Sequence, residues 1–289
     1  MKIKTLRFLS QGLFFILIAS APWFDIFRFD YPKGNLIILG NDITLNLASG
    51  QIPPSEMFFI IAGKILLPLV LFALFILIVS YRYGRLYCGW VCPHFAVVET
   101  LNGLFTKSIA KPTIWDPKDS PHLQPDGTKA TQSTIWLVIT VLTSIGFAFS
   151  WAFSMLVYFL PPFDTLNQLL SLSLGKAPAV FLLVVTTVLS IDFIFARHLF
   201  CRFGCAAGLV QSIAWMGNDN AKGITLDKTK AQLCKTCPSA CDHACPMRLK
   251  PRSIKKKLLS CTQCMRCIQA CDNVPRENKG AILHWKNPQ

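Results

Sequence analysis

The sequence predicts an all-α membrane domain of four transmembrane helices, arranged as two repeated hairpins, followed by a small cysteine-rich α+β domain. Three observations lead to this prediction. The chain of 289 residues is 52% hydrophobic and only 15% charged, whereas a soluble chain is about a quarter charged. Its apolar residues are concentrated in a few long runs, and most of its 12 cysteines lie near the C-terminus. We expect the membrane domain over residues 1–217 and the second domain over residues 218–289.

Four apolar runs have the length of a membrane span, since about 20 helical residues cross roughly 30 Å of hydrocarbon. The runs cover residues 8–24, 57–80, 134–160 and 177–196. The first run follows basic residues, as the apolar part of a signal peptide does. Pro22 directly after the small residues disfavours cleavage there, so we expect the first run to be a retained span.

The distribution of basic residues predicts the orientation in the membrane. Lys and Arg crowd the N-terminus, the segment after the second span and the tail, but the two remaining loops have only Arg28, Lys33 and Lys176. By the positive-inside rule, both termini of this multi-pass chain face the cytoplasm of a bacterial inner membrane. The net charge of +14 follows from this topology, so we expect no nucleic-acid partner. All cysteines then face a reducing compartment, which favours metal binding over disulfides.

Each predicted hairpin ends in a Cys-x3-Cys pair, Cys88 and Cys92 after the second span and Cys201 and Cys205 after the fourth. Pro93 predicts a helix that begins directly after the first pair, with Cys92 outside the helical conformation. We expect this helix to lie in the membrane interface. The four thiols could converge and bind an additional metal, form a redox-active disulfide or relay electrons, or they could be structural. The sequence leaves these alternatives open.

The tail contains two consecutive runs of four cysteines. The second run has the Cys-x2-Cys-x2-Cys-x3-Cys spacing of bacterial ferredoxins and consists of Cys261, Cys264, Cys267 and Cys271. The first run is one residue longer than the usual form, is followed by Pro246, and consists of Cys234, Cys237, Cys241 and Cys245. The alternative reading is a pair of zinc sites, because Cys-x2-Cys also suits tetrahedral zinc.

In two-cluster ferredoxins the fourth cysteine of each run binds the cluster of the other run. We therefore expect a small ferredoxin-like domain with two [4Fe-4S] clusters. One cluster would be bound by Cys234, Cys237, Cys241 and Cys271. The other would be bound by Cys245, Cys261, Cys264 and Cys267.

With these motifs, and with Cys88-Gly-Trp-Val-Cys92-Pro93, the sequence resembles a family of four-span membrane ferredoxin-type proteins. The family includes NapH, NosR, MauN and the FixG/CcoG proteins, and the similarity covers nearly the whole chain. The resemblance implies electron transfer between the membrane quinone pool and a redox partner, as in a quinol dehydrogenase component of a respiratory chain. Kinship with FixG and MauN implies an alternative, an assembly or maturation factor that uses cluster electrons to reduce copper or to activate a partner oxidoreductase.

Quinol oxidation requires a group that takes up protons, and ionisable residues inside membrane spans are functional candidates. The candidates are Lys64 in the second span and Asp192 in the fourth. Each also has a structural alternative. Lys64 would extend its amine to the interface, and Asp192 would pair with Arg197 or with Lys64. His94 and His198 flank the two Cys pairs and are further candidates for metal ligands, whereas no histidine lies deep enough in a span to suggest a haem.

Overall fold

The computed structural model describes residues 3–44, 58–59, 62–111, 113–115, 133–234, 237, 239–252, 258–274 and 282–286. The chain forms two compact units. The first, which we call the cysteine unit, contains every cysteine and comprises Met1–Gly12, Ile76–Ser144 and Asp192–Gln289. The second unit comprises Leu13–Phe75 and Ile145–Ile191. These two units do not coincide with the membrane domain (residues 1–217) and tail domain (residues 218–289) that we expected. That domain boundary stays a prediction.

Helices dominate both units. Those in the first half of the chain are α1 (Ile3–Ser20), α2 (Leu67–Tyr83), α3 (Leu86–Trp90) and α4 (Pro93–Ile109). The next are α5 (Thr134–Val157), α6 (Pro162–Leu170), α7 (Lys176–Ile191) and α8 (Ala206–Met216). The tail adds α9 (Ala240–His243) and α10 (Arg266–Asp272). Turns with π-helical hydrogen bonding precede α2 (Ala62–Leu66), follow α7 (Asp192–Ala196) and precede α8 (Phe200–Gly204).

Two of the described helices are long and apolar enough to cross a membrane. They are α5, and α7 together with its π-helical extension to Ala196, and they match the third and fourth predicted spans. The other two predicted spans correspond to shorter apolar helices, Thr5–Ser20 within α1 and Leu67–Tyr83. Large apolar side chains on these helices are exposed, among them Phe72 and Leu183. Such a surface is unusual in a soluble protein and suits contact with lipid.

The second unit contains a sheet that the sequence analysis did not predict. Strands β1 (Phe27–Asp30), β2 (Asn35–Ile38) and β3 (Asn41–Thr44) pair antiparallel in this order, where we expected a loop. The turns between them contain Gly34 and Gly40, both at positive φ, which allows tight connections. The prediction of an all-α membrane domain is therefore wrong in this segment. The strands are short and their apolar residues were too few to give a clear alternating pattern.

The helix after the first Cys pair begins as predicted but lies in a different environment. Pro93 is in the first turn of α4, and Cys92 before it has extended backbone angles (φ −60°, ψ 118°). The apolar face of α4, including Phe95, Val98 and Leu101, is buried in the protein. The expectation that this helix lies in the membrane interface is therefore wrong, because its apolar stripe packs against the rest of the cysteine unit.

The C-terminal part of the cysteine unit is small and mixed in structure. Strand β4 (Gly223–Leu226) pairs antiparallel with β5 (Leu283–Lys286), and α9 and α10 carry cysteines of the two tail runs. Ile224, Ile282 and Leu283 form a buried core with several of these cysteines. This α+β arrangement is ferredoxin-like. It brings the two runs, which extend over 37 positions from Cys234 to Cys271, together around one apolar core.

Candidate metal centres

The first candidate centre is a cavity lined by four thiols, which belong to Cys234, Cys237, Cys241 and Cys271. Three of these thiols come from the first tail run, and the fourth comes from the end of α10. The rest of the lining is apolar except for Arg252. The structure thus brings together the four cysteines that the crossed pairing assigns to one cluster.

The second candidate centre is a neighbouring cavity with four other thiols, which belong to Cys245, Cys261, Cys264 and Cys267. Apolar residues such as Met247, Leu249 and Leu258 complete its lining. The backbone N–H of Leu249 donates to the sulfur of Cys245 at 3.4 Å, and such bonds stabilise a thiolate. These four cysteines form the other set of the crossed pairing.

The chemistry of both cavities fits an iron–sulfur cluster. Each thiolate of a [4Fe-4S] cluster binds a separate iron atom, so the four sulfurs must surround a volume rather than meet at a point. Tetrahedral zinc instead requires every sulfur within about 2.3 Å of one ion. Within the described ranges, no three His, Cys, Asp or Glu side chains converge tightly enough to hold a single ion.

Burial determines how the tail thiols ionise. It raises the pKa of Cys241 to about 12, with a further increase from the neighbouring Asp242. It also raises the pKa of Cys245 to about 12, with a further increase from Cys264. Without a metal these thiols therefore keep their protons at neutral pH, and metal binding has to release them. Asp242 is itself paired with Arg252 at 2.6 Å, which limits the negative charge beside the first cavity.

The remaining four cysteines, which we call the helix-end thiols, are Cys88, Cys92, Cys201 and Cys205. Burial raises the pKa of Cys88 to about 12, and the nearby Cys92 and Cys205 raise it further. Burial also raises the pKa of Cys201, and all three other helix-end thiols add to this shift. The two pairs are more than 100 positions apart in sequence. Cys92 and Cys201 pack against one small core, and Arg85, just before Cys88, bonds to the carbonyl of Cys201, so the fold brings the two pairs together.

Asp192 and His94 lie beside the helix-end thiols. The Oδ2 atom of Asp192 is 2.8 Å from Nε2 of His94, and Nδ1 of His94 is 3.4 Å from the sulfur of Cys201. A carboxylate, an imidazole and a thiol therefore follow one another in hydrogen-bonding contact. The other predicted catalytic candidate, Lys64, belongs to the π-helical turn before α2, and its side chain lies outside the described residues.

Arg85 is a candidate that the sequence analysis missed. Its side chain is 1% exposed. Its Nε donates to Ser212 Oγ at 2.5 Å and its Nη1 donates to the carbonyl of Cys201 at 2.8 Å. A signal was available in the sequence, because an arginine precedes each Cys-x3-Cys pair by three or four positions, as Arg85 and Arg197. Arg85 was counted only as part of the positive charge that sets the orientation, and Arg197 was considered only as a pairing partner for Asp192 and as part of that charge.

Several contacts hold the second tail run against the helix-end thiols. A side chain at Gly89 would overlap with the carbonyl oxygen of Thr262. The backbone of α3 therefore lies in direct contact with the backbone of the second tail run. The indole of Trp90 donates to the carbonyl of Gln263 at 3.1 Å. Cys92 and Cys201 pack against the same small core as Cys245 and Cys264. The helix-end thiols and the second cavity are therefore neighbours.

Glu99 of α4 adds an ionic connection to the same region. Its carboxylate accepts hydrogen bonds from Arg7 of α1 at 2.6 Å and from Arg266 of α10 at 2.8 Å. Burial opposes ionisation of this group, but the two arginines outweigh it and lower the pKa of Glu99. The carboxylate thus holds the first helix and the second tail run on α4.

Comparison with known proteins is consistent with this chemistry. A family model described as "4Fe-4S binding domain" matches residues 65–112. This segment contains Cys88 and Cys92 but none of the tail cysteines. No solved structure matches the chain.

Three relatives are similar to this chain over most of its length. The chain is 24% identical to YccM of Escherichia coli, whose name describes an electron transport protein, over 80% of the chain and 58% of YccM. It is 22% identical to the ferredoxin-type protein NapH of Escherichia coli, over 92% of the chain and 85% of NapH. It is 25% identical to the nitrogen fixation protein FixG of Rhizobium meliloti, over 78% of the chain and 43% of FixG. The chain thus spans less than two thirds of YccM and FixG. These matches confirm the resemblance to NapH- and FixG-like ferredoxin-type proteins.

Proposed function

We propose that this NapH- and FixG-like chain is a membrane-bound iron–sulfur protein that transfers electrons between the quinone pool and a redox partner. The observation that carries the proposal is the pair of neighbouring cavities, each lined by four thiols and apolar side chains. The names of YccM and NapH, an electron transport protein and a ferredoxin-type protein, support the same chemistry. The redox partner is another respiratory or maturation protein.

In this proposal the tail holds two [4Fe-4S] clusters, which supply one-electron transfer when bound. Cys234, Cys237, Cys241 and Cys271 hold one cluster. Cys245, Cys261, Cys264 and Cys267 hold the other. The apolar residues between the thiols exclude water from both cavities, and Arg252 offsets negative charge at the first.

The membrane part of the proposal is a four-span topology with both termini in the cytoplasm. The lengths of α5, and of α7 together with its π-helical extension to Ala196, support two of the spans directly. The shorter apolar helices α1 and α2 support the other two, because they lie at the predicted positions and expose large apolar side chains. The basic residues of the cytoplasmic segments would face anionic headgroups.

The quinone-linked part of the proposal rests on Asp192. Its contact with His94, which in turn contacts Cys201, supports a role for this carboxylate in taking up protons from quinol at the membrane end of the protein. Lys64 remains the second candidate for such a role. A quinol releases two electrons and two protons, and two one-electron carriers in the tail match this stoichiometry.

The alternative function is an assembly or maturation factor that reduces copper or activates a partner oxidoreductase. Similarity to FixG favours it. Both functions use the same tail sites and differ in the substrate at the other end of the electron path.

Reduction of the purified protein distinguishes the two functions. We expect a quinol analogue, added anaerobically, to bleach the visible absorbance of the oxidised clusters to the same extent as dithionite. Rapid oxidation of the dithionite-reduced protein by copper(II), combined with no response to quinol, would overturn the quinol proposal in favour of the alternative. Protein without acid-labile sulfide would overturn both.

A further inference from the structure

The helix-end thiols lie beside a buried cation that has no anionic hydrogen-bond partner. Arg85 donates to a hydroxyl and to a backbone carbonyl, as described above, and its Nη2 has no hydrogen-bond partner in the part of the chain that the structure describes. Burying a guanidinium without a compensating negative charge is strongly unfavourable. The structure therefore calls for an anion at this place.

Several thiols lie near enough to Arg85 to influence its charge. Burial lowers the pKa of Arg85, and the charges that oppose this shift belong to Cys88, Cys205, Cys201 and Cys261. Three of these four are helix-end thiols, and Nη1 of Arg85 also holds the backbone of Cys201. Protonated thiols supply no negative charge. Thiolates bound to metal do, and an iron–sulfur cluster with four cysteine ligands carries a net negative charge.

Two helix N-termini reinforce the preference for an anion. Cys92 directly precedes α4 and Cys205 directly precedes α8, both in an extended conformation. Burial raises the pKa of Cys92 overall, and the backbone N–H groups of His94 and Phe95 at the start of α4 oppose this shift by favouring the thiolate. Free N–H groups and the helix dipole at such an end stabilise a thiolate.

The comparisons add an independent observation. The segment that matches the family model described as "4Fe-4S binding domain" contains Cys88 and Cys92 as its only cysteines. A single pair offers two ligands, and the fold supplies the other two from the second hairpin, at Cys201 and Cys205.

We propose that Cys88, Cys92, Cys201 and Cys205 hold a third iron–sulfur cluster, with Arg85 as its buried counter-cation. A disulfide would remove the thiolates and leave Arg85 without an anion. A mononuclear metal site would need ligands that converge on one point, which the described side chains do not do. The third cluster is additional to the two proposed clusters of the tail. Its presence does not depend on which substrate the protein reduces or oxidises.

The first test removes the third site and leaves the tail intact. The double variant Cys88→Ser/Cys201→Ser is purified anaerobically as the full chain, and iron and acid-labile sulfide are measured per chain. We expect about twelve of each in the wild type and about eight in the variant, a loss of one third. The exposed substitution Thr100→Ser on α4 serves as a matched control and should lose nothing. Equal iron and sulfide in wild type and double variant would overturn the proposal.

The second test retains the third site alone. A variant with all eight tail cysteines replaced by serine should keep about four iron and four sulfide per chain, and replacing the helix-end thiols as well should remove them. Iron or zinc without sulfide, or a disulfide in place of metal, would overturn the proposal. Wild-type protein that carries only about four iron and four sulfide per chain, all of them kept when the tail cysteines are replaced, would instead contradict the proposed function, so the two failures are distinguishable.

The role of Arg85 has a separate readout. We expect Arg85→Gln to shift the midpoint potential of the third cluster to more negative values, because a nearby cation favours the reduced and more negative state. The tail potentials should change less, and Arg85→Lys should restore most of the shift. Unchanged potentials in Arg85→Gln would overturn the assignment of Arg85 as the counter-cation.

Discussion

The tail cysteines and the helix-end thiols are set in different electrostatic surroundings. The first tail cavity is bordered by Arg252, which is partly exposed and already paired with Asp242. The helix-end thiols adjoin Arg85, which is fully buried and has neutral hydrogen-bond partners. The first arrangement is close to neutral before a cofactor binds. The second arrangement has an uncompensated positive charge, on Arg85, until an anion binds.

The two groups also differ in how the chain assembles them. The tail ligands come from two short runs that fold around one apolar core. The helix-end thiols come from two segments more than 100 positions apart and meet only because α3, α4 and the turn before α8 pack together. We infer that the tail sites depend mainly on local spacing, whereas the helix-end site depends on the whole cysteine unit. The following predictions test this difference.

The largest effect concerns the crossed pairing of the tail ligands. In Cys241→Ser/Cys271→Ser both changes affect the first cavity, so we expect a loss of about four iron atoms per chain. In Cys241→Ser/Cys267→Ser the changes affect both cavities, and the loss should be about eight. The two double variants are matched controls for each other, and iron analysis with electron paramagnetic resonance reads both. Equal losses would contradict the crossed pairing.

The next effect concerns the carboxylate that holds the tail on α4. Glu99→Gln leaves Arg7, which is 3% exposed, without its counter-charge and should lower the free energy of unfolding by about 3–5 kcal/mol. Thermal unfolding in detergent measures this change, and the exposed Asp219→Asn should have little effect. An unchanged unfolding temperature would show that the tail docks without this ion pair.

The same variant has a predicted pH dependence. The pKa of Glu99 is lowered in the folded protein, so its stabilising contribution is present above the ordinary carboxyl pKa of about 4.3 and is lost as the pH falls below it. The difference in stability between wild type and Glu99→Gln should therefore shrink below about pH 4. A constant difference down to pH 3 would contradict the ionised state of Glu99.

A smaller effect is expected at the membrane end. Asp192→Asn keeps the shape of the side chain but does not accept a proton, so quinol-dependent reduction should slow by about 10²-fold. Reduction by dithionite should be unchanged, because the tail sites are intact. Asp164→Asn, on the exposed side of α6, is the matched control. A normal rate with quinol would remove Asp192 from the mechanism.

The smallest effect tests the backbone contact between α3 and the second tail run. Gly89→Ala places a methyl group against the carbonyl of Thr262 and should destabilise the protein by about 1–3 kcal/mol. Gly103→Ala in α4 is the matched control, because a Cβ there meets no atom within 4 Å, and it should be neutral or slightly stabilising. Similar effects of both variants would contradict the close contact seen at Gly89.

The predictability of the fold followed the strength of the local signals. The apolar runs of α5 and α7 were long enough to be recognised, and the start of α4 at Pro93 followed from the restrictions that proline imposes. The sheet of β1 to β3 was missed, because four-residue strands with charged residues such as Arg28 and Asp30 resemble a loop. The burial of the apolar face of α4 also had no local signal, since an interfacial and a packed helix share the same periodicity.

The candidate sites divide in the same way. The crossed sets of tail cysteines were predictable because ligand spacing within a run reflects the geometry of a cluster corner. The roles of Arg85 and Glu99 were not predictable, since each depends on partners more than 100 positions away in sequence, such as Ser212 and Arg266. The contact of Asp192 with His94 likewise joins residues 98 positions apart, and pairing partners for Asp192 were sought only within the spans and at their ends.

Electron paramagnetic resonance of anaerobic membranes, before and after addition of a quinol analogue, tests the central claim most directly. The account predicts that quinol produces the spectrum of reduced, mutually interacting [4Fe-4S] clusters, and that this spectrum is absent from membranes with the tail cysteines replaced by serine. Clusters that dithionite reduces but quinol leaves oxidised would contradict electron exchange with the quinone pool.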